Sequence, residues 1–321
     1  MYMQAKNMNY IIFDLEWNQC PRGPEFENPR IPFEIIEIGA VKLNDSFEIV
    51  DEFSSIVKPR IYKYLHNHVR QMLNYDETYL RTGRPFDMVC RDFMKWCGTD
   101  YVFGTWGTGD LVQLQKNMDY YYMNKFAEPF KYYNIQSIFA EYYEDLGSCK
   151  LEKAVAALNL PIEEEFHTAI NDARYTALVF QKLSKKHLND QYTYDYYHEP
   201  KDKESEIHAF HRTYSEHISR GFEQRAEIME DKDINSFRCY KCKRKISKKI
   251  KWFSYNPSSF VSVGHCWYHG YQKGVIKIKT SNSGKLFAIK KITPITKSEV
   301  EDIRTRQAEL REKRREKRKK H

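Results

Sequence analysis

The chain has 321 residues with a net charge of +8, long enough for one large domain and a smaller one. No run of eighteen or more apolar residues is present, and Met1 to Asn7 lack the apolar core of a signal peptide, which excludes membrane-spanning helices and leaves the expectation of a soluble, cytoplasmic protein. Seven cysteines, an odd number, then argue for reduced thiols, and for metal binding where they cluster.

The charge is divided unevenly. Residues 235–321 carry 25 Lys/Arg against 6 Asp/Glu, whereas the first 234 residues carry 27 against 38. An acidic body joined to a basic arm is drawn to a polyanion through the arm.

Tyr10 to Phe13 form a short apolar run of the kind that makes a buried strand, and the run ends in Asp14-Leu15-Glu16. Side chains two apart on a strand share a face, so Asp14 and Glu16 present two carboxylates side by side. Two adjacent anions tend to protonate unless a cation sits between them. The stretch alone leaves open a metal site or a solvated acidic loop. Leu15 and Trp17 flank the acids, as substrate contacts or as core and rim residues.

Phe33 to Leu43 reads as a second strand and Glu48 to Val57 as a third, paired across an Asn44-Asp45-Ser46 turn. Residues 64–73 and 86–96 read as helices, the latter with Phe86, Val89, Phe93 and Trp96 on one stripe. Tyr101 to Gly104 is a short strand that runs into a Gly-rich turn and then Asp110, which opens a helix carrying Leu111, Leu114, Met118 and Tyr121. The turn has neither the spacing nor the Lys-Ser/Thr ending of a P-loop. Asp110 is either a partner of the helix dipole or a third ligand beside Asp14 and Glu16.

A strand at 131–134 leads to helices at 136–146 and 151–158, and Thr168 is a plausible N-cap for the next helix. On that helix Asp172 shares the inward stripe with Thr176, Val179 and Leu183, which is costly for an acid unless it is paired or binds a metal. His167 fits best on the loop ahead of the helix. Residues 189–204 read as a connector, and Ile207, Phe210, Tyr214, Ile218 and Phe222 at helical spacing predict one long bridging helix over 206–229.

Cys239-x2-Cys242 and Cys266-x2-His269, twenty-three residues apart, match a tetrahedral structural zinc site of the zinc-ribbon kind, with His265 as the rival fourth ligand. Strand-like stretches at 252–255, 260–263, 275–279 and 286–292 surround it. A module this small has little core, and a metal would compensate. Its basic, aromatic composition suits single-stranded nucleic acid, bound through phosphates and stacked bases. The tail at 304–321, with ten Lys/Arg and three acids, reads as a solvated segment of helical propensity.

In order, Asp14-x-Glu16, Asp110 opening a helix, and His167-x4-Asp172 resemble the signature of the DEDDh 3′-to-5′ exonucleases. Ile35 to Leu43 resembles that family's second strand. The Trp106-Gly107 pair before Asp110, Asn134-Ile135 and the Cys149 to Glu152 helix start look most like the subgroup that trims RNA 3′ ends; the single Asp110, without a second nearby Asp, departs from many close relatives there. The resemblance covers about residues 9–188 and implies an RNase H-like mixed five-stranded sheet flanked by helices. The donor set then suits two Mg²⁺ or Mn²⁺ held by Asp14, Glu16, Asp110 and Asp172, with His167 taking the proton of the attacking water.

The expected organisation is an exonuclease domain at 1–188, a connector and bridging helix at 189–234, a basic zinc-binding module at 235–297 and a basic tail at 298–321. The expected activity is release of nucleoside 5′-monophosphates from single-stranded RNA. The rivals are a DNA proofreading or repair exonuclease and an inactive nucleic-acid-binding protein. Oligomeric state is left open.

Overall fold

The computed structural model describes residues 8–73, 76–126, 129–183, 188, 191–281 and 283–319, so the first seven residues and the last two of the basic tail lie outside the described residues. The chain divides into two compact units at Asp195/Tyr196.

The first unit is built on a mixed sheet in the order β3-β2-β1-β4-β5-β6. Its strands are β1 (Asn9–Gln19), β2 (Phe33–Leu43), β3 (Ile49–Ile56), β4 (Tyr101–Thr105), β5 (Lys131–Asn134) and the two-residue β6 (Thr193–Tyr194). The five strands of an RNase H-like sheet are therefore present, with β6 added at the edge. β1 runs antiparallel to β2 and parallel to β4, which places it at the centre.

The helices cover both faces, and β1 shows it in its own sequence. Ile11, Phe13 and Leu15 face a core shared with α3 (Phe86–Cys97) and α4 (Gly109–Tyr120). Ile12 faces the opposite core, with α5 (Ile135–Tyr142), α6 (Leu151–Ala157) and α7 (Ala169–Lys182). A strand buried on both sides needs an unbroken apolar run, which is what residues 10–13 supply. Phe13 is fully buried between Phe93 and Phe103, at centroid distances of 5.9 and 5.1 Å, so Phe13→Ala would cost about 3–5 kcal/mol. Short helices α1 (Asn67–Leu73) and α2 (Glu77–Arg81) close a small satellite core around Leu65, Val69 and Leu80.

One close approach fixes α7 on the sheet. A Cβ on Gly39 of β2 would lie 2.1 Å from the backbone carbon of Ala169, the first residue of α7. Only glycine lets the helix start touch the strand.

The second unit is a six-stranded sheet ordered β7-β8-β12-β11-β10-β9. Here the 206–229 reading is corrected. The segment is not a bridging helix but β7 (Ile207–Phe210), β8 (Ser215–Ile218) and a short α8 (Arg225–Glu230). The apolar residues at 207, 210, 214 and 218 do fall at helical spacing, yet all four residues of β8 are buried, which no single helix face can achieve. Pairing with β12 supplies the ladder hydrogen bonds, from Ile218 opposite Ile289 to Ser215 opposite Ile292. Long-range pairing overrides local periodicity here. A module beginning at 235 would separate β8 from β12.

β9 (Ser247–Asn256), β10 (Ser259–Cys266), β11 (Gly270–Thr280) and β12 (Leu286–Pro294) contain the four predicted strand stretches and extend them. α8 and α9 (Lys232–Asn235) contribute Ile228 and Ile234 to one core cluster, with Ile276 and Ala288. The tail region forms α10 (Lys297–Lys319), whose Val300 and Ile303 are buried in another cluster with Ile250, Val261 and Val263. The helix is thus packed on the sheet ahead of Arg304, while residues 304–316 are exposed or half-buried, as a solvated segment of helical propensity requires. No helix among the described residues is long and apolar enough to cross a membrane.

Candidate functional site

β1 carries Asp14 and Glu16 on the face turned toward α7, and α7 brings Asp172 to the same place. One carboxylate oxygen of each lies within 4.8 Å of the others. Asp110, on the first turn of α4, is held from the side: its Oδ1 accepts the Leu15 backbone N–H at 3.3 Å. The local chain explains the positions. Thr168 caps α7, its hydroxyl accepting from the Asn171 N–H, so the helix begins where Asp172 falls on its first turn.

His167 lies in the loop just before α7 with a backbone φ of 71°. That left-handed turn aims its N–H at both oxygens of Asp172, 3.4 Å away. Its imidazole is exposed, with Nε2 3.7 Å from Oε1 of Glu152 on α6.

The electrostatics of the carboxylates are one-sided. Burial and then the fields of Asp110, Glu16, Asp172 and Glu37 push Asp14 well above the usual carboxylate range. Burial, then Asp172, Glu37 and Asp110, raise Glu16 to about 8. Burial raises Asp110 to about 7, and burial raises Asp172 to about 6 against the opposing pull of His167. The charged neighbours acting on Asp14 and Glu16 are all acids, so the group is at odds with itself at neutral pH without cations. Hard oxygen donors in this number suit Mg²⁺ or Mn²⁺.

Two residues of the site were missed in the sequence. Glu37 on β2 stands directly across the ladder from Glu16, is 3% exposed, and its Oε2 accepts the Ala169 N–H at 3.3 Å. The signal was there: a lone acid within Ile35-Ile36-Glu37-Ile38. Glu152 was visible only as part of a helix start. Leu15 is corrected in the other direction. Its side chain is 3% exposed in the α3/α4 core, because strand alternation turns it away from the face that Asp14 and Glu16 share; only its N–H reaches the site. Trp17 follows a bulge after Glu16, is half-buried against Phe33, and lies within 3.6 Å of where a Cβ on Gly109 would be.

In the second unit Cys239, Cys242, Cys266 and His269 converge. A tetrahedral zinc with metal–sulfur bonds of about 2.3 Å has S···S edges of about 3.8 Å and S···N edges of about 3.6 Å. The distances are 3.8 Å for Cys242–Cys266, 3.6 Å for Cys266–His269 and 3.4 Å for Cys239–His269. The donor set fits the ion. Burial alone would raise the Cys239 thiol, but hydrogen bonds from the Cys242 N–H, the Gln272 amide and the Lys241 N–H bring it down to about 6. His265 is outside the group, its ring against Tyr271 at 4.6 Å.

The exonuclease family model, RNase_T, matches residues 11–180, more than half of the chain. The chain belongs to the exonuclease family. No curated protein matches it. Among solved structures, this exonuclease is similar to cell-death related nuclease 4 (CRN-4), with 20% identity, 58% of this chain and 66% of that chain covered, and a TM-score of 0.48; it thus spans just under two thirds of that protein. It is also similar to the nuclease domain of 3′hExo, a DEDDh family member bound to rAMP, with 20% identity, 60% and 98% covered, and a TM-score of 0.49. For E. coli Exonuclease I in complex with a dA16 oligonucleotide the values are 11% identity, 80% and 55% covered, and 0.48. The matched span of the exonuclease model contains Asp14, Glu16, Asp110, His167 and Asp172 and stops short of the cysteine cluster.

Proposed function

We propose that the chain is a metal-dependent 3′-to-5′ exonuclease that shortens single-stranded nucleic acid, RNA in preference to DNA, and releases nucleoside 5′-monophosphates. The observation that carries this reading is the meeting of Asp14, Glu16 and Asp172 within 4.8 Å, with Asp110 beside them and His167 on the open side. Asp14, Glu16, Asp110 and Asp172 would hold two Mg²⁺ or Mn²⁺ ions. Bound there, such ions supply charge neutralisation for the phosphodiester and acidify water. The Leu15 N–H and the His167 N–H fix the orientation of Asp110 and Asp172. The His167 imidazole accepts the proton lost by the attacking water, and Glu152 Oε1, 3.7 Å from its Nε2, stabilises the imidazolium that results. The preference for RNA rests on the Trp106-Gly107, Asn134-Ile135 and Cys149–Glu152 segments, which resemble the RNA-trimming subgroup.

In this reading residues 8–195 carry the hydrolytic centre, and the second unit is a nucleic-acid-binding module stabilised by one structural Zn²⁺ on Cys239, Cys242, Cys266 and His269. The test is digestion of 5′-labelled single-stranded RNA and DNA of matched sequence with Mg²⁺, with Mn²⁺ and with EDTA, beside an Asp14→Ala control. A metal-dependent ladder shortening from the 3′ end, faster on RNA and lost in the control, supports the proposal. A faster ladder on DNA replaces it with a repair-type activity. Tight binding with no ladder on either polymer leaves an inactive binding protein.

A further inference from the structure

The four-ligand cluster of the second unit does more than close a small fold: it holds two loops together, and each loop carries one kind of exposed chemistry. The Cys266–His269 turn carries Trp267, 88% exposed, and Tyr268, 68% exposed, while Cys266 itself is 2% exposed. The 239–245 loop carries Lys241, Lys243, Arg244 and Lys245, all exposed, with exposed Arg238 just ahead of it. The loops meet at the cluster, where Cys242 and Cys266 are 3.8 Å apart, and at the surface, where the Arg244 guanidinium lies 5.3 Å from the Tyr268 ring centroid.

Single exposed apolar residues are ordinary. This pair is different in kind. Trp267 is the most exposed of the large apolar residues among those described. The two rings are neighbours on a turn whose ends are tied by Cys266 and His269, so ordering them on a ligand costs little backbone entropy. The surroundings are cationic, with no acid in the sequence from Asn235 to Ser298.

We propose that the Cys266–His269 turn is a base-stacking platform for single-stranded nucleic acid, with Trp267 and Tyr268 stacking on unpaired bases and Arg238, Lys241, Lys243 and Arg244 meeting the phosphates between them. Protruding aromatic faces need bases that are not already paired and stacked, so a single strand is the form that fits, and its phosphates complement the loop's charge. The contact is tolerant of sequence, because every base offers a face. This deepens the proposed function by assigning the second unit a defined grip on the same class of polymer, and it rests on that reading only for the choice of polymer.

The experiment measures binding without cleavage, using the full chain with Asp14→Ala, zinc-loaded, and a fluorescent single-stranded RNA followed by anisotropy. Adding Trp267→Ala and Tyr268→Ala together should weaken binding by about tenfold or more, with zinc content unchanged and the salt dependence of affinity retained. Trp267→Phe should restore part of the loss. Replacing Lys241, Lys243 and Arg244 by Gln should instead flatten the salt dependence, by a slope of about 0.7 for each phosphate contact removed. Emission of Trp267 should be quenched by the single strand and far less by a duplex of the same sequence. Unchanged affinity in the double-aromatic variant overturns the proposal and makes the pair a contact for another protein chain; equal binding of the duplex overturns it as well. A wild-type chain that cuts a ladder while the aromatic variant binds normally refutes this inference alone. A chain that cuts nothing but loses binding with the two rings refutes the hydrolytic reading alone.

Discussion

Glu16 and Glu37 face each other across the β1–β2 ladder, two buried acids on one side of the sheet, and Glu37 also accepts the Ala169 N–H that opens α7. The strand that carries Asp14 and Glu16, two of the four proposed metal ligands, is thereby linked through β2 to the helix that carries Asp172. A carboxylate at a helix N-terminus is favourable, while its charge raises Asp14, Glu16 and Asp172. Glu37 therefore positions the site and adds to its demand for cations. Glu37→Gln keeps an acceptor for Ala169 and removes the charge, so it should weaken Mg²⁺ affinity with little loss of folding stability. Glu37→Ala leaves the Ala169 N–H without its acceptor and should cost about 1–3 kcal/mol in denaturant unfolding.

The pH dependence has a definite sign. Asp172, Asp110 and Glu16 titrate at about 6, 7 and 8 in the fold, all above their unfolded values near 4. A raised carboxyl stabilises the fold fully below its unfolded pKa, and that contribution is lost as pH rises through the folded one. With metal chelated, the first unit should lose thermal stability between about pH 5 and 8. Saturating Mg²⁺ or Mn²⁺ should restore it, by more at pH 8 than at pH 6, because binding must displace the protons. Thermal denaturation across that range, with EDTA and with each metal, checks this; a metal-free stability that climbs with pH contradicts it.

His167→Ala should lower kcat by about a hundredfold to ten-thousandfold while the metal-induced shift in Tm stays that of the parent chain. The imidazole is exposed and its Nε2 lies 3.7 Å from Oε1 of Glu152, so its removal leaves the carboxylate cluster in place. Undiminished cleavage would remove His167 from the mechanism.

At Gly39 the expectation is geometric. The Cβ of Gly39→Ala would lie 2.1 Å from the Ala169 backbone carbon, so α7 must move off β2, carrying Asp172 with it. Both stability and metal-dependent activity should fall together, and a variant with normal turnover would show that α7 tolerates the displacement.

Purified full-length protein should contain one zinc per chain by elemental analysis. Cys242→Ser and His269→Ala should each lose it, whereas His265→Ala should retain it, since His265 packs on Tyr271 outside the cluster. Retention of zinc in His269→Ala would reassign the fourth ligand.

Much of the first unit was legible because its signals are local. The apolar run of β1, the cap at Thr168 and the stripe of α3 all act within a few residues, and each element formed where its own chemistry favours it. The second unit was less legible for the converse reason. Residues 207–222 carry a spacing that fits a helix, and the decision for strand comes from β12, some seventy residues later in sequence.

By itself, then, the sequence determined which residue types stand at which spacing: the Asp14-x-Glu16 pair on one strand face, the acid at the start of α4, the cysteine and histidine pairs, and the division of charge. Tertiary structure alone decided what those groups meet. It turned Leu15 into the core, set Glu37 opposite Glu16, chose His269 over His265, and joined β8 to β12. These outcomes depend on which distant surfaces come within a few ångströms, and that is settled by packing and strand pairing over the whole chain, for which no local pattern in the sequence provides a measure.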